Sequence, residues 1–143
     1  MSTSEKAGLP EDYVTGIEEI DRQHGNLIDL VGEARRTLHS DSSPARLGAV
    51  IRELLSYSIY HFETEERLMR QYGYAQAQPE DAELHIRQHR SFSQQVAKLQ
   101  EEAAAHRQVD TTELIRFLLE WIDRHIRQTD RKLAGFILAE RKP

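Results

Sequence analysis

The 143-residue chain contains no cysteine. Disulfides, thiolate metal sites and cysteine nucleophiles are therefore excluded. Long apolar runs are also missing, and nothing approaches the ~18 residues of a membrane span. The first twelve residues, MSTSEKAGLPED, lack the apolar core of a signal peptide and are expected to form a loosely ordered arm. A cytoplasmic location with no membrane partner is the resulting expectation. Basic residues are scattered and the formal net charge is −5, whereas nucleic-acid binding needs a clustered basic face, so no nucleic-acid partner is expected. The strands that an α/β enzyme requires are not visible, and there is no internal repeat, linker or low-complexity tract.

What remains is a charged, globular chain, 38% hydrophobic and 30% charged, of a length suited to one domain over residues 1–143. Apolar residues recur at helical spacing in four segments. The first seam runs Ile20, Leu27, Val31, Ala34, Leu38, with His24 at its missing step. The second runs Leu47, Ile51, Leu54, Ser58, His61, Glu65, Leu68, Tyr72. The third comprises His85, His89, Phe92, Val96, Leu99 and Ala103. The fourth comprises Leu114, Leu118, Trp121 and His125. Boundaries follow from local chemistry. Ser43 before Pro44 reads as an N-cap with proline at the first helical position. Gly73 marks a helix stop. Pro79 with Glu80 and Asp81 opens a third helix, and Asp110 with Glu113 resembles a capping box. The class predicted is all-α: an up-and-down four-helix bundle with a short C-terminal helical extension.

Each seam is polar where the bundle should close. Five imidazoles and a carboxylate buried at one level are costly unless each finds a partner, and metal satisfies all of them together. His61 and Glu65 are four residues apart, as are His85 and His89, so each pair projects from one helix face. Imidazole and carboxylate suit iron, zinc, copper or nickel better than calcium. Six candidates exceed the four ligands of a zinc site and favour two metals. Taken singly, each feature has an ordinary explanation, such as a hydrogen-bonded core histidine, a solvated Glu63–Glu66 face or core aromatics at Phe92 and Trp121. The coincidence across four helices outweighs these. His39 and His106 fall near helix ends and are read as non-ligands. The Glu-x-x-His pattern of ferritin-like oxidases is absent, Asp21 before His24 being the nearest case, and so is the HExxH of zinc hydrolases.

Four motifs then resemble a known family. Residues 13–24 read YVTGIEEIDRQH, similar to G-I-x-x-I-D-x-Q-H. Residues 61–69 read HFETEERLM, similar to H-F-x-x-E-E-x-x-M. Residues 85–92 read HIRQHRSF, similar to H-x-x-x-H-x-x-F, and residues 121–130 read WIDRHIRQTD, similar to W-L-x-x-H-I-x-x-x-D. In this order they resemble the hemerythrins, in particular the single-domain bacterial ones, from about Leu9 to Ala139.

The resemblance implies two iron ions (Fe2+/Fe3+) joined by an oxo or hydroxo bridge. His85, His89 and His125 would hold one ion. His24 and His61 would hold the other, with an open coordination position, and Glu65 and Asp130 would bridge both. O2 would bind end-on at the open iron, take two electrons from the pair and leave as O2. The implied role is reversible O2 binding for transport, storage or delivery rather than enzymatic turnover. The alternative is sensing or detoxifying O2, NO or peroxide at the same centre. A monomer is expected, and any protein acceptor of O2 stays unidentified.

Periodicity does not reveal Asp130. Five residues beyond His125 is ~500° of helix, roughly 140° off its face, so the helix should end or distort between Ile126 and Thr129. Given an open position near His24 and His61, an apolar pocket of Leu27, Phe62, Phe92, Trp121, Ile122 and Ile126 is expected to wall it. Two departures from the family pattern are Leu9, where a Trp is usual, and Tyr74-Ala75 in place of Tyr-Pro, within a longer connection from Gly73 to Glu83.

Overall fold

In a computed structural model, residues 9–141 are described, and residues 1–8 of the expected arm lie outside them. Helix α1 spans Glu18–Ser40 and α2 spans Pro44–Tyr72. A single turn, α3, covers Tyr74–Ala77, and α4 runs Pro79–Ala104. The last rod is continuous: α5 over Thr111–Arg124, a π-helical segment over His125–Asp130, and α6 over Arg131–Arg141. Helix α2 lies against α1 and α4, and α1 against α5, giving the up-and-down bundle, with α6 as its C-terminal extension. Among the described residues there is no strand, and no helix is long and apolar enough to cross a membrane.

The helix ends form for the reasons the residues suggest. Ser43 accepts from the Arg46 N–H, and Pro44 follows at N1. Gly73 stops α2 at φ +68°, a left-handed conformation that glycine adopts without steric penalty. Asp110 caps α5 by accepting from the Thr112 and Glu113 N–H groups at 3.0 and 3.2 Å. Only half of the expected capping box is made, because the Glu113 carboxylate pairs with Arg116 at 2.7 Å. The longer connection is not an open loop: Tyr74 is buried and packs against Phe136.

The chain leading into α1 is also fixed. Residues Glu11–Tyr13 form a 3-10 turn, and the Tyr13 hydroxyl donates to the Asp123 carboxylate. Asp21 accepts from the Thr15 N–H and hydroxyl and from the Gly16 N–H. It thus ties this segment to the first turn of α1.

The apolar core is divided in two. One cluster contains Val31, Ile51, Phe62, Phe92, Val96, Leu118, Ile122 and Ile126. The other contains Ile17, Ile20, Leu68, Met69, Tyr74, Leu133 and Ile137. On every rod the histidines and carboxylates fall between the two. Ile20 precedes His24 and Val31 follows it. Phe62 and Leu68 flank Glu65, and Ile122 and Leu133 flank His125 and Asp130. The bundle therefore carries one buried polar layer, sealed above and below.

Candidate metal centre

The polar layer brings together all seven residues singled out by sequence. Helix α1 supplies His24, α2 supplies His61 and Glu65, α4 supplies His85 and His89, and the π segment supplies His125 and Asp130. All seven are buried.

The π segment explains how Asp130 arrives. The expected distortion is present, and the helix continues through it instead of ending. A π-helix closes its hydrogen bonds over five residues rather than four, so residues five apart stack on one face. Asp130 Oδ1 accordingly lies 3.0 Å from His125 Nε2.

The two carboxylates partition the imidazoles. Glu65 Oε1 is 3.0 Å from His85 Nε2 and 2.9 Å from His89 Nε2. Asp130 Oδ1 is 3.1 Å from His85 Nε2. The other oxygens face the remaining pair: Asp130 Oδ2 is 2.7 Å from His24 Nε2, and Glu65 Oε2 is 3.2 Å from His61 Nε2. Two groups result, one of Glu65, His85, His89, His125 and Asp130, the other of His24, His61, Glu65 and Asp130. Within each group the donor atoms lie within 4.8 Å of one another.

Hydrogen bonding alone does not satisfy this layer. His61 Nε2, Glu65 Oε2, His125 Nε2 and Asp130 Oδ1 all point into it without a hydrogen-bond partner. Each such orphan costs about 1–3 kcal/mol. Ligand atoms ~2.1 Å from one ion and at right angles stand about 3.0 Å apart, close to the spacings in the three-histidine group. The donor set fits two metal ions.

The protonation states agree with that fit. Burial, the largest influence, resists charging of His61, but the Glu65 and Asp130 carboxylates overcome it and push His61 up to about 9. Against the same burial, hydrogen bonds to Asp130 and Glu65 push His85 up to about 9. His24 is raised in the same way. Burial would raise Glu65 and Asp130, the latter also through the charge on Glu65. The surrounding imidazoles win, and both carboxylates are held well below their usual range. The two carboxylates thus favour positive charge on the imidazoles around them, and metal cations would meet the same demand.

Outside the ring, residues that seam reading passed over hold the imidazoles. His61 Nδ1 is 2.7 Å from the side-chain oxygen of Gln23, whose amide donates to the Thr64 hydroxyl at 3.1 Å. His125 Nδ1 is 2.7 Å from the Gln88 oxygen, which also accepts from the Thr129 hydroxyl at 2.8 Å. His89 Nδ1 is 2.9 Å from Glu66 Oε2. By sequence alone Glu66 reads as part of a solvated face. Its bond to His89, opposed by partial burial, lowers its pKa. A signal existed for these residues: each metal-facing imidazole must place its second nitrogen somewhere, and Gln23, Gln88 and Glu66 each adjoin a candidate ligand. His39 and His106 are exposed and remote from both groups. Asp21 serves the helix start and lies outside the layer.

Beside His61, His125 and Asp130 lies a cavity of about 10 Å³. Leu27, Phe62, Phe92, Trp121, Ile122 and Ile126 wall it, together with Ser58. Its size is near the limit for one water-sized molecule. Phe62 stacks on His89 at 4.0 Å, and the half-buried Trp121 stacks on His125 at 4.4 Å, so aromatic faces fix both imidazole rings.

A four-helix bundle closed around a buried histidine–carboxylate layer is a metal-binding protein architecture. A model of the Hemerythrin HHE cation binding domain matches residues 15–137, and the chain belongs to the hemerythrin family. It is 30% identical over 129 residues to a bacteriohemerythrin of Stenotrophomonas maltophilia, covering 90% of this chain and 80% of that one. It is 30% identical over 131 residues to the bacteriohemerythrin of Pseudomonas aeruginosa strain LESB58, covering 92% and 79%. A crystal structure of wild-type hemerythrin superposes with a TM-score of 0.76 at 25% identity, covering 86% of this chain and 90% of that one.

Proposed function

We propose that the protein binds O2 reversibly at a non-haem di-iron centre held by His24, His61, Glu65, His85, His89, His125 and Asp130. The observation that carries this reading is the unequal division of imidazoles, three against two, between carboxylates that each give one oxygen to either side. Such an arrangement leaves one metal a ligand short. The cavity borders His61 of the two-histidine group, along with His125 and Asp130, and is the space into which a small ligand of that metal would fit.

An iron pair bound there would supply two electrons to O2 and take them back. The chain's own residues make that exchange reversible. Leu27, Phe62, Phe92, Ile122 and Ile126 exclude water from the cavity, which suppresses proton-driven side reactions. Glu65 and Asp130 hold the two positions at fixed separation, and their charges compensate the cations. Gln23 and Gln88 fix the rings of His61 and His125 with Nε2 inward.

Carrier, storage and delivery roles share this chemistry, and sensing or detoxification of NO or peroxide would use the same residues differently. Reversible O2 titration beside steady-state turnover with peroxide and with NO separates them. The proposed reading predicts full recovery of O2 and slow turnover of both other substrates. Rapid catalytic consumption of either one, with irreversible loss of O2, would overturn it.

A further inference from the structure

The imidazoles of the layer differ at their outer nitrogens. His61 and His125 each face a neutral glutamine oxygen. The Nδ1 atoms of His24 and His85 have no hydrogen-bond partner. His89, among the five, donates to a carboxylate, Glu66 Oε2 at 2.9 Å. The geometry of that pair is fixed from two sides. Glu66 directly follows Glu65 on α2, so the same helical turn holds one carboxylate in the layer and the other outside it. Phe62, one turn earlier on the same helix, stacks on the His89 ring at an interplanar angle of 12° and prevents it from turning away. The Glu66 side chain is 30% exposed, so it keeps its charge at low desolvation cost while its oxygen reaches inward.

A hydrogen bond to an ionised acceptor is roughly twice as strong as a neutral one. A carboxylate on the outer nitrogen of a metal-bound imidazole also raises the basicity of the inner nitrogen. A more basic donor favours the higher-charged state of the metal. We infer that Glu66 is a positioning residue that acts through His89 and makes the three-histidine metal position easier to oxidise than neutral partners would. This inference rests on the di-iron reading. It adds that the charge of one outer side chain sets the balance between the reduced and oxidised centre.

The test compares Glu66→Gln with Gln88→Glu, which would place a carboxylate on His125 instead. Glu63→Gln, at an exposed position on the same helix, controls for simple loss of a nearby charge. Iron content and midpoint potential are measured on iron-loaded protein by mediated reductive titration. The Nδ1–H proton of His89 is followed by NMR on zinc-loaded protein. Glu66→Gln should retain its metal and raise the potential by at least a tenfold change in ferric preference, about 59 mV for one electron. Gln88→Glu should lower the potential, and Glu63→Gln should leave it unchanged. In the zinc form the His89 proton should move upfield in Glu66→Gln. Equal shifts in Glu66→Gln and Glu63→Gln, loss of metal from both positions in Glu66→Gln, or an unmoved His89 proton would overturn the inference. A wild-type protein that binds zinc but no iron would instead defeat the di-iron reading, and the zinc-form NMR would still decide the role of Glu66.

Discussion

Asp130 Oδ1 lies 3.0 Å from His125 Nε2 although the two stand five positions apart in sequence, a spacing that a regular α-helix puts on different faces and the π segment brings onto one. The π segment behaves as one residue inserted into an α-helix. Deleting the exposed Gln128 would bring the two residues to a spacing of four positions, at which side chains of a regular α-helix also share a face. The Gln128 deletion variant is therefore expected to fold and to bind metal at the wild-type stoichiometry. Asp130→Ala is expected to lose metal. Metal analysis of the two purified variants checks this, and loss of metal in both would show that the π geometry itself is required.

Glu65 gives one oxygen to each metal group, so Glu65→Ala is expected to lose both metal ions. Single replacement of the exposed His39 or His106 should leave metal content at the wild-type value. If His106→Ala strips metal as His89→Ala does, the sorting of the seven histidines is incorrect.

The pKa shifts fix the pH response of the metal-free protein. His61 and His85 rise from 6.5 to about 9. A raised histidine pKa contributes stability that is fully present below 6.5 and is lost as the pH rises through about 9. Glu65 and Asp130 are lowered, so their contribution is present above the usual carboxylate range and is lost as the pH falls. Thermal unfolding of the metal-free protein should thus show a falling Tm between pH 6.5 and 9 and another fall in acid. The metal-loaded protein behaves differently, because protons compete with metal for the same nitrogens. It should release metal in mildly acidic solution with uptake of several protons. Metal retained unchanged down to about pH 3 would contradict a site built largely from histidine.

The cavity wall can be probed with polar side chains of similar volume. Leu27→Gln and Ile126→Gln should keep fold and metal, with a stability loss on the order of 1–3 kcal/mol for the buried amide, and autoxidation of the O2-bound form should accelerate markedly. Leu47→Gln and Val96→Gln, in the same core but not on the cavity wall, should lose stability without faster autoxidation. Equal autoxidation rates in all four variants would mean that these side chains only pack the core.

Much of this architecture was legible because helical period and burial coincide. Ile20, Val31, Leu54, Phe92 and Leu118 fall on seams and are buried, and His24, His61, Glu65, His85 and His89 interrupt those seams at one level. Asp130 was illegible to periodicity because the period itself changes over His125–Asp130. It was reached through family resemblance. Leu133 and Ile137 lie beyond the break and were passed over for the same reason. Gln23, Gln88 and Glu66 were missed because they sit beside the seams and touch the layer only through the outer nitrogens of histidines. Ser58 was visible as a seam residue, yet nothing in its spacing revealed that it would border the cavity. The connection from Gly73 was read as longer, but a buried Tyr74 gives no sequence signal that separates a packed turn from a loose one.

The central claim is most directly tested by counting metal and cycling O2 on the same purified sample. About two irons per chain, no haem, and a visible absorption band that appears with O2 and disappears on deoxygenation over repeated cycles are the predicted result. One zinc per chain, or a spectrum that does not respond to O2, would contradict it.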